Sequence, residues 1–123
     1  MDQSPRPLGI LQRLRNRVVW SLAGCRDAWT HEHSFRTWVW ANVVSDVLAF
    51  ALPIGGTERM AIVVLGLLVL AAELMNTGLE RLTDLVTRDR SDLAGRAKDA
   101  GSAAVAVTSV AAGVAWIFAL AGL

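Results

Sequence analysis

The sequence has one cysteine, no tyrosine and three prolines in 123 residues. A lone cysteine excludes an intrachain disulfide framework, and with no motif around it Cys25 reads as a small apolar packing residue. No Gly-x-x-x-x-Gly-Lys-Ser/Thr occurs, which excludes a P-loop, and no Gly-x-Gly-x-x-Gly follows a strand pattern. Zinc-type Cys/His spacing is absent. His31-Glu32-His33 does not replace it, because residues two apart on a helix do not share a face. The net charge is only +1, so no overall field marks a nucleic-acid binder. The polar stretch before Ile10 lacks the apolar core and cleavage site of a signal peptide. Residues 1–9 read as a flexible tail, and the membrane segments themselves are expected to direct insertion. No internal repeat, low-complexity tract or second domain is visible, so 1–123 reads as one domain.

What the chain has in abundance is apolar residues, 54% of the total, and they are bunched. Residues 37–54 are apolar except for Asn42, Ser45 and Asp46. Residues 57–80 contain the uncharged run Met60 to Ala72, and residues 99–123 carry no charge after Asp99. Each stretch is long enough to cross, or nearly cross, a hydrocarbon core of about 30 Å. Asp46 reads as facing a neighbouring helix or lying shallow. Pro53-Ile54-Gly55-Gly56-Thr57 reads as a tight turn. Over residues 10–34, Leu11, Leu14, Val18, Leu22, Cys25 and Trp29 recur at three- and four-residue steps, with Arg13, Arg15, Arg17 and Arg26 off that stripe. This is a basic amphipathic helix with Trp20 as an interface aromatic, suited to an anionic leaflet or to packing on a bundle. The expected fold is therefore all-α and membrane-integral: three transmembrane helices behind an N-terminal amphipathic surface helix.

The basic residues orient these spans. Arg6, Arg13, Arg15, Arg17, Arg26 and Arg36 precede the first, Arg59 separates first from second, and Arg81, Arg88, Arg90, Arg96 and Lys98 separate second from third. Six, one and five is a positive-inside pattern with a cytoplasmic N-terminus, a cytoplasmic 81–99 loop and an external C-terminus. Five groups then converge on the cytoplasmic face: Glu32, Glu73, Glu80, Lys98 and Asp99.

Glu73, Asn76 and Glu80 are spaced to share one helix face at the end of the second apolar run. An acid near membrane depth is costly unless it is paired, coordinated or working. Glu32 and Arg36 have the spacing of an ordinary helix-surface ion pair. Ser91 or Asp92 suits a helix cap, and Gly95, Asp99 and Ser102 share a face where small residues admit a close neighbour. Carboxylates with amide, hydroxyl and cationic neighbours suit Mg²⁺ with phosphate. A membrane phosphotransferase follows from this, drawing a nucleotide from water and a lipid alcohol from the bilayer. An oligomeric helix-bundle transporter or ion pathway, the second reading, is also consistent with intramembrane acids.

Three strings resolve that choice by likeness. Glu-x-x-Asn-Thr-x-x-Glu at 73–80, Gly-Arg-Ala-Lys-Asp-Ala-Gly-Ser-Ala-Ala-Val at 95–105 and Glu-x-x-Phe-Arg at 32–36 resemble prokaryotic diacylglycerol kinase, in the same order, from about Arg13 to the C-terminus. The resemblance implies a homotrimer in the bacterial inner membrane, with membrane lipids around it and no nucleic-acid partner. It implies ATP- and Mg²⁺-dependent phosphorylation of diacylglycerol to phosphatidic acid. Glu73 matches the catalytic base, and Glu32 and Glu80 the metal carboxylates that also meet ATP. Lys98, Asp99 and the Asp89-Arg90-Ser91 segment match nucleotide-binding positions, as do Arg13 and Trp20. Arg13, Arg36, Glu73, Ser102 and Trp116 match lipid-substrate positions, with Asn76 and Gly95 in support. Trp20 stands where the family usually has tyrosine, so a hydroxyl contact to nucleotide cannot be made there, though stacking could. The 88–91 segment is more charged than usual, and Asp46 replaces an apolar residue. A related branch phosphorylates undecaprenol; Gly95 to Asp99 with Gly101-Ser102 looks more like the diacylglycerol branch.

Overall fold

A computed structural model describes residues 9–123; the tail expected over 1–9 lies, but for Gly9, outside the described residues. Four helices follow in order: α1 (Ile10–His31), α2 (His33–Ala51), α3 (Gly56–Val86) and α4 (Asp92–Ala121). No strand occurs among the described residues. α3 packs most extensively on α4 and then on α2, whereas α1 touches α2 and α3 only lightly.

α3 and α4, of 31 and 30 residues, are the two described helices long and apolar enough to cross a membrane. At 1.5 Å per residue α3 extends about 46 Å, so its ends outrun a hydrocarbon core of about 30 Å. α2 has 19 residues, about 28 Å, and Asn42, Ser45 and Asp46 make it less apolar. Its polar groups turn inward. Asn42 Nδ2 donates to the Trp38 carbonyl at 2.9 Å, and Ser45 Oγ accepts from Trp116 Nε1 of α4 at 2.8 Å. Asp46 is half-buried with Oδ1 shielded and unpartnered, which fits the neighbour-facing reading over the shallow one.

Several boundaries differ from the expected ones, among them the start of α2 at His33 rather than 37. The surface helix ends at His31, not residue 34, because Glu32 adopts an extended backbone (φ −109°, ψ 109°) between α1 and α2. Arg36 makes that break tolerable: its Nη1 donates to the Trp29 and Thr30 carbonyls at 2.7 and 3.2 Å, satisfying two groups the ending helix leaves open. The helix expected as the first span stops at Ala51, not 54, since the residue before Pro53 is pushed to extended backbone. Arg59 of α3 then donates to the Ala49, Leu52 and Ile54 carbonyls and lies 5.3 Å from the Phe50 ring. The second expected span, α3, runs to Val86 rather than 80, and the third, α4, begins at Asp92 rather than 99. Charge alone does not stop a helix, so the expected 81–99 loop shrinks to Thr87–Ser91. Ser91, not Asp92, is the cap, its Oγ accepting from Ala94 N at 3.1 Å.

Ala49, Ile54, Ile62 and Ala119 form the buried cluster, with Leu52, Ala115 and Trp116 against it at the Gly55-turn end. Toward the other end, Gly101 of α4 lies against Asn76 of α3. A Cβ at Gly101 would collide with the Asn76 carboxamide and lie 3.3 Å from Leu79 Cδ1. Gly101→Val is therefore expected to cost about 1–3 kcal/mol through overpacking. Thermal unfolding in micelles checks this; an unchanged midpoint would show that the helices do not meet there.

Candidate active site

Glu73 lies just beyond the uncharged run of α3, 4% exposed, with Thr77 one turn on at 8%. These are the two buried polar side chains of the described fold. A carboxylate removed from water needs a partner, and Ser34 Oγ of α2 donates to Glu73 Oε1. Ser34 carries no signal in the sequence. It is placed there because the extended Glu32 starts α2 afresh and buried Phe35 anchors its first turn.

On the α4 side of α3, Asn76 Nδ2 donates to Glu80 Oε1 at 3.2 Å, and Glu80 is half-buried. Asn76 Oδ1 is buried without a hydrogen-bond partner, packed where Gly101 leaves room. The amide thus steers the Glu80 carboxylate from a fixed position, as the shared helix face implies.

Glu32 and Arg36 do not form the expected helix-surface pair. Arg36 caps α1, and Glu32 Oε1 instead accepts from Arg81 Nη2 at 2.7 Å across 49 positions of sequence. Arg81 Nη1 also donates to Asp27 of α1. Arg81 and Asp27 were invisible to motif reading, and only the folded contact exposes them. The Arg81 guanidinium hydrogen bond holds the Asp27 carboxyl below the usual carboxylate range, with partial desolvation opposing and the charges of Arg81 and His31 assisting. A depressed folded-state value means the stabilisation is fully present above the ordinary carboxylate pKa. It is lost as pH falls through the lowered one. Asp27→Asn is expected to flatten the acid limb of thermal stability against pH; an unchanged limb would remove Asp27 from α1 docking.

A cavity of about 330 Å³ opens where α3 meets α4, with Asp84, Arg88, Arg90, Ser91, Gly95 and Lys98 among its walls. It gathers Asp89, Arg90, Ser91 and Lys98, four of the expected nucleotide residues, with the supporting Gly95, and adds Thr83, Asp84 and Arg88. Lys98 Nζ is held by Asp84 Oδ1 at 2.6 Å. Asp99, next to it, is exposed outside this wall. Trp20, 67% exposed, and Arg13 lie on α1 away from any described wall of that cavity. Ser102 is exposed on α4. Trp116, tied to Ser45, is 14 residues further on, about 21 Å by helical rise. The two do not share a pocket.

Among the described residues no three acidic, histidine or cysteine side chains cluster as a metal cage. Mg²⁺ does not need one: it commonly takes one or two carboxylates plus substrate phosphates. The all-oxygen donors of half-buried Glu32 and Glu80 fit that chemistry.

Comparison with known proteins places the chain in a family. Residues 19–120 match the family described as prokaryotic diacylglycerol kinase. The chain is 38% identical over 112 residues to a diacylglycerol kinase of Pseudomonas aeruginosa, covering 91% of each chain. It is 33% identical over 104 residues to that of Escherichia coli, covering 85% of each. It is 34% identical over 106 residues to that of Haemophilus influenzae, covering 86% of this chain and 90% of the relative.

Proposed function

The chain belongs to the prokaryotic diacylglycerol kinase family, and from that premise we propose that it transfers the γ-phosphate of ATP to the hydroxyl of diacylglycerol, giving phosphatidic acid. The observation that carries the reading is a buried, hydrogen-bonded Glu73 at the end of a membrane-capable helix, two turns from half-buried Glu80. Glu73 takes the proton of the lipid hydroxyl as that oxygen attacks the γ-phosphorus, and ADP departs. Ser34 fixes one Glu73 oxygen, leaving the other for the substrate. Glu80, steered by Asn76, and Glu32 would hold Mg²⁺, whose chemistry there would be neutralisation of phosphate charge. Lys98 exchanges Asp84 for phosphate in the cavity lined by Arg90 and Ser91. By family likeness Arg13, Trp20 and Asp99, outside the walls of that cavity, belong to the nucleotide side, and Arg36, Ser102 and Trp116 to the lipid side.

The same reading makes α2 the third span, with the N-terminus and the Glu73 end of α3 in the cytoplasm of a bacterial cell. The six–one–five distribution of basic residues supports it. Exposed Val64, Leu67, Val107, Val110, Ile117 and Phe118 on α3 and α4 are apolar surface for lipid and for two further copies in a homotrimer.

The purified protein in mixed micelles, given ATP labelled at the γ-phosphate and Mg²⁺, is the test. Label is expected in phosphatidic acid when diacylglycerol is supplied, at a far lower level with undecaprenol. Preferential labelling of undecaprenol would move the chain to the other branch, and label in neither lipid would refute the kinase reading.

A further inference from the structure

Arg81 belongs to none of the motifs above, yet it joins three segments of the chain. Its Nη1 donates to Asp27 in the last turns of α1, and its Nη2 donates to Glu32 between α1 and α2. We propose that the Asp27–Arg81 pair is a positioning device for Glu32, setting how tightly the site holds metal and nucleotide rather than how fast it transfers phosphate. This rests on the reading of Glu32 as a metal carboxylate.

Backbone hydrogen bonds to Ala28 and Arg36 place the Glu32 main chain, but among the described contacts its side chain is held by Arg81. The Glu32 backbone is extended, so no helix fixes its direction, and Arg36, four residues on, is committed to the Trp29 and Thr30 carbonyls. Its side chain keeps 28% exposure, and its described contact is the one from Arg81 to Oε1. A carboxylate has two oxygens, so that contact fixes the group and leaves Oε2 for a cation. Ligating carboxylates are commonly held by such an outer hydrogen bond.

A guanidinium beside a metal carboxylate would by itself repel the metal. Asp27 answers that: two carboxylates and one guanidinium leave the trio one negative charge. The planar fork reaches both acids at once, which a lysine ammonium cannot do with the same geometry. α1 otherwise packs lightly on α2 and α3, so this bridge also sets where α1 ends relative to α3.

The test is retention of Mn²⁺ with β,γ-methylene-ATP, read by electron paramagnetic resonance on the full-length protein in micelles, beside steady-state kinetics. Arg81→Ala is expected to weaken Mn²⁺·nucleotide retention about 10- to 100-fold, the usual effect of removing an outer-shell partner. The Mg²⁺ and ATP half-saturation values rise with it, while turnover at saturation stays within a few-fold. Arg81→Lys recovers part of the affinity, and Asp27→Asn loses part. Wild-type retention in Arg81→Ala, or reduced saturating turnover with unchanged affinity, would overturn the proposal. If Arg81→Ala does not fold, Arg81→Lys and Asp27→Asn decide it, and wild-type affinity in both overturns it. Glu32→Gln separates the two levels. Wild-type retention there sinks the Glu32 assignment itself, whereas weakened retention there with wild-type retention in Arg81→Ala sinks this inference alone.

Discussion

Glu73→Gln is expected to lower turnover by about 10²–10⁴-fold, the usual cost of losing a positioned general base, with ATP and lipid binding retained. Glutamine keeps the shape, and its amide oxygen still accepts from Ser34, so the α2–α3 contact survives. What is lost is a group able to take the proton of the lipid hydroxyl. Folding is expected to hold, because a side chain 4% exposed gains little from carrying a charge and the amide fills the same volume. Turnover within a few-fold of wild type would show that the base lies elsewhere, and Asp99 would be the next residue to replace.

Glu80→Gln is expected to raise the Mg²⁺ needed for half-maximal activity by about 10- to 100-fold, with thermal stability little changed. Asn76 Nδ2 can still donate to the glutamine oxygen, so the local hydrogen bond remains while the negative charge goes. Glu32→Gln is expected to act in the same direction, though it also gives up the charge that Arg81 answers. Activity titrated against Mg²⁺ at fixed ATP reads both. Unaltered Mg²⁺ dependence in the two variants would contradict the metal role.

The sequence made α3 and α4 legible because uncharged runs of helical length admit few alternatives. The shared face of Asn76 and Glu80 was legible for the same reason: helical spacing is local, and the 3.2 Å hydrogen bond follows from it. The break at Glu32 was not, since neither glycine nor proline marks it and a carbonyl-capping Arg36 makes it possible. The supposed 81–99 loop failed for a related reason. Arg81, Asp84, Arg96 and Lys98 are good helix-surface residues, and the chain bends only between Val86 and Asp92. Pairings such as Ser34–Glu73, Arg81–Glu32 and Trp116–Ser45 span 39, 49 and 71 positions, beyond the reach of periodicity. Lys98 illustrates the limit. Its place beside the nucleotide segment was expected, but the carboxylate holding it is Asp84 of α3, not neighbouring Asp99.

The central claim is that nucleotide, metal and lipid alcohol meet around the Glu73–Glu80 face of α3. A structure of the protein with Mg²⁺, β,γ-methylene-ATP and a short-chain diacylglycerol tests it most directly. The account predicts metal density between the phosphates and the carboxylates of Glu32 and Glu80, Lys98 turned from Asp84 to phosphate, and the lipid hydroxyl at Glu73. Phosphates bound away from Glu80, or a lipid hydroxyl out of reach of Glu73, would contradict it.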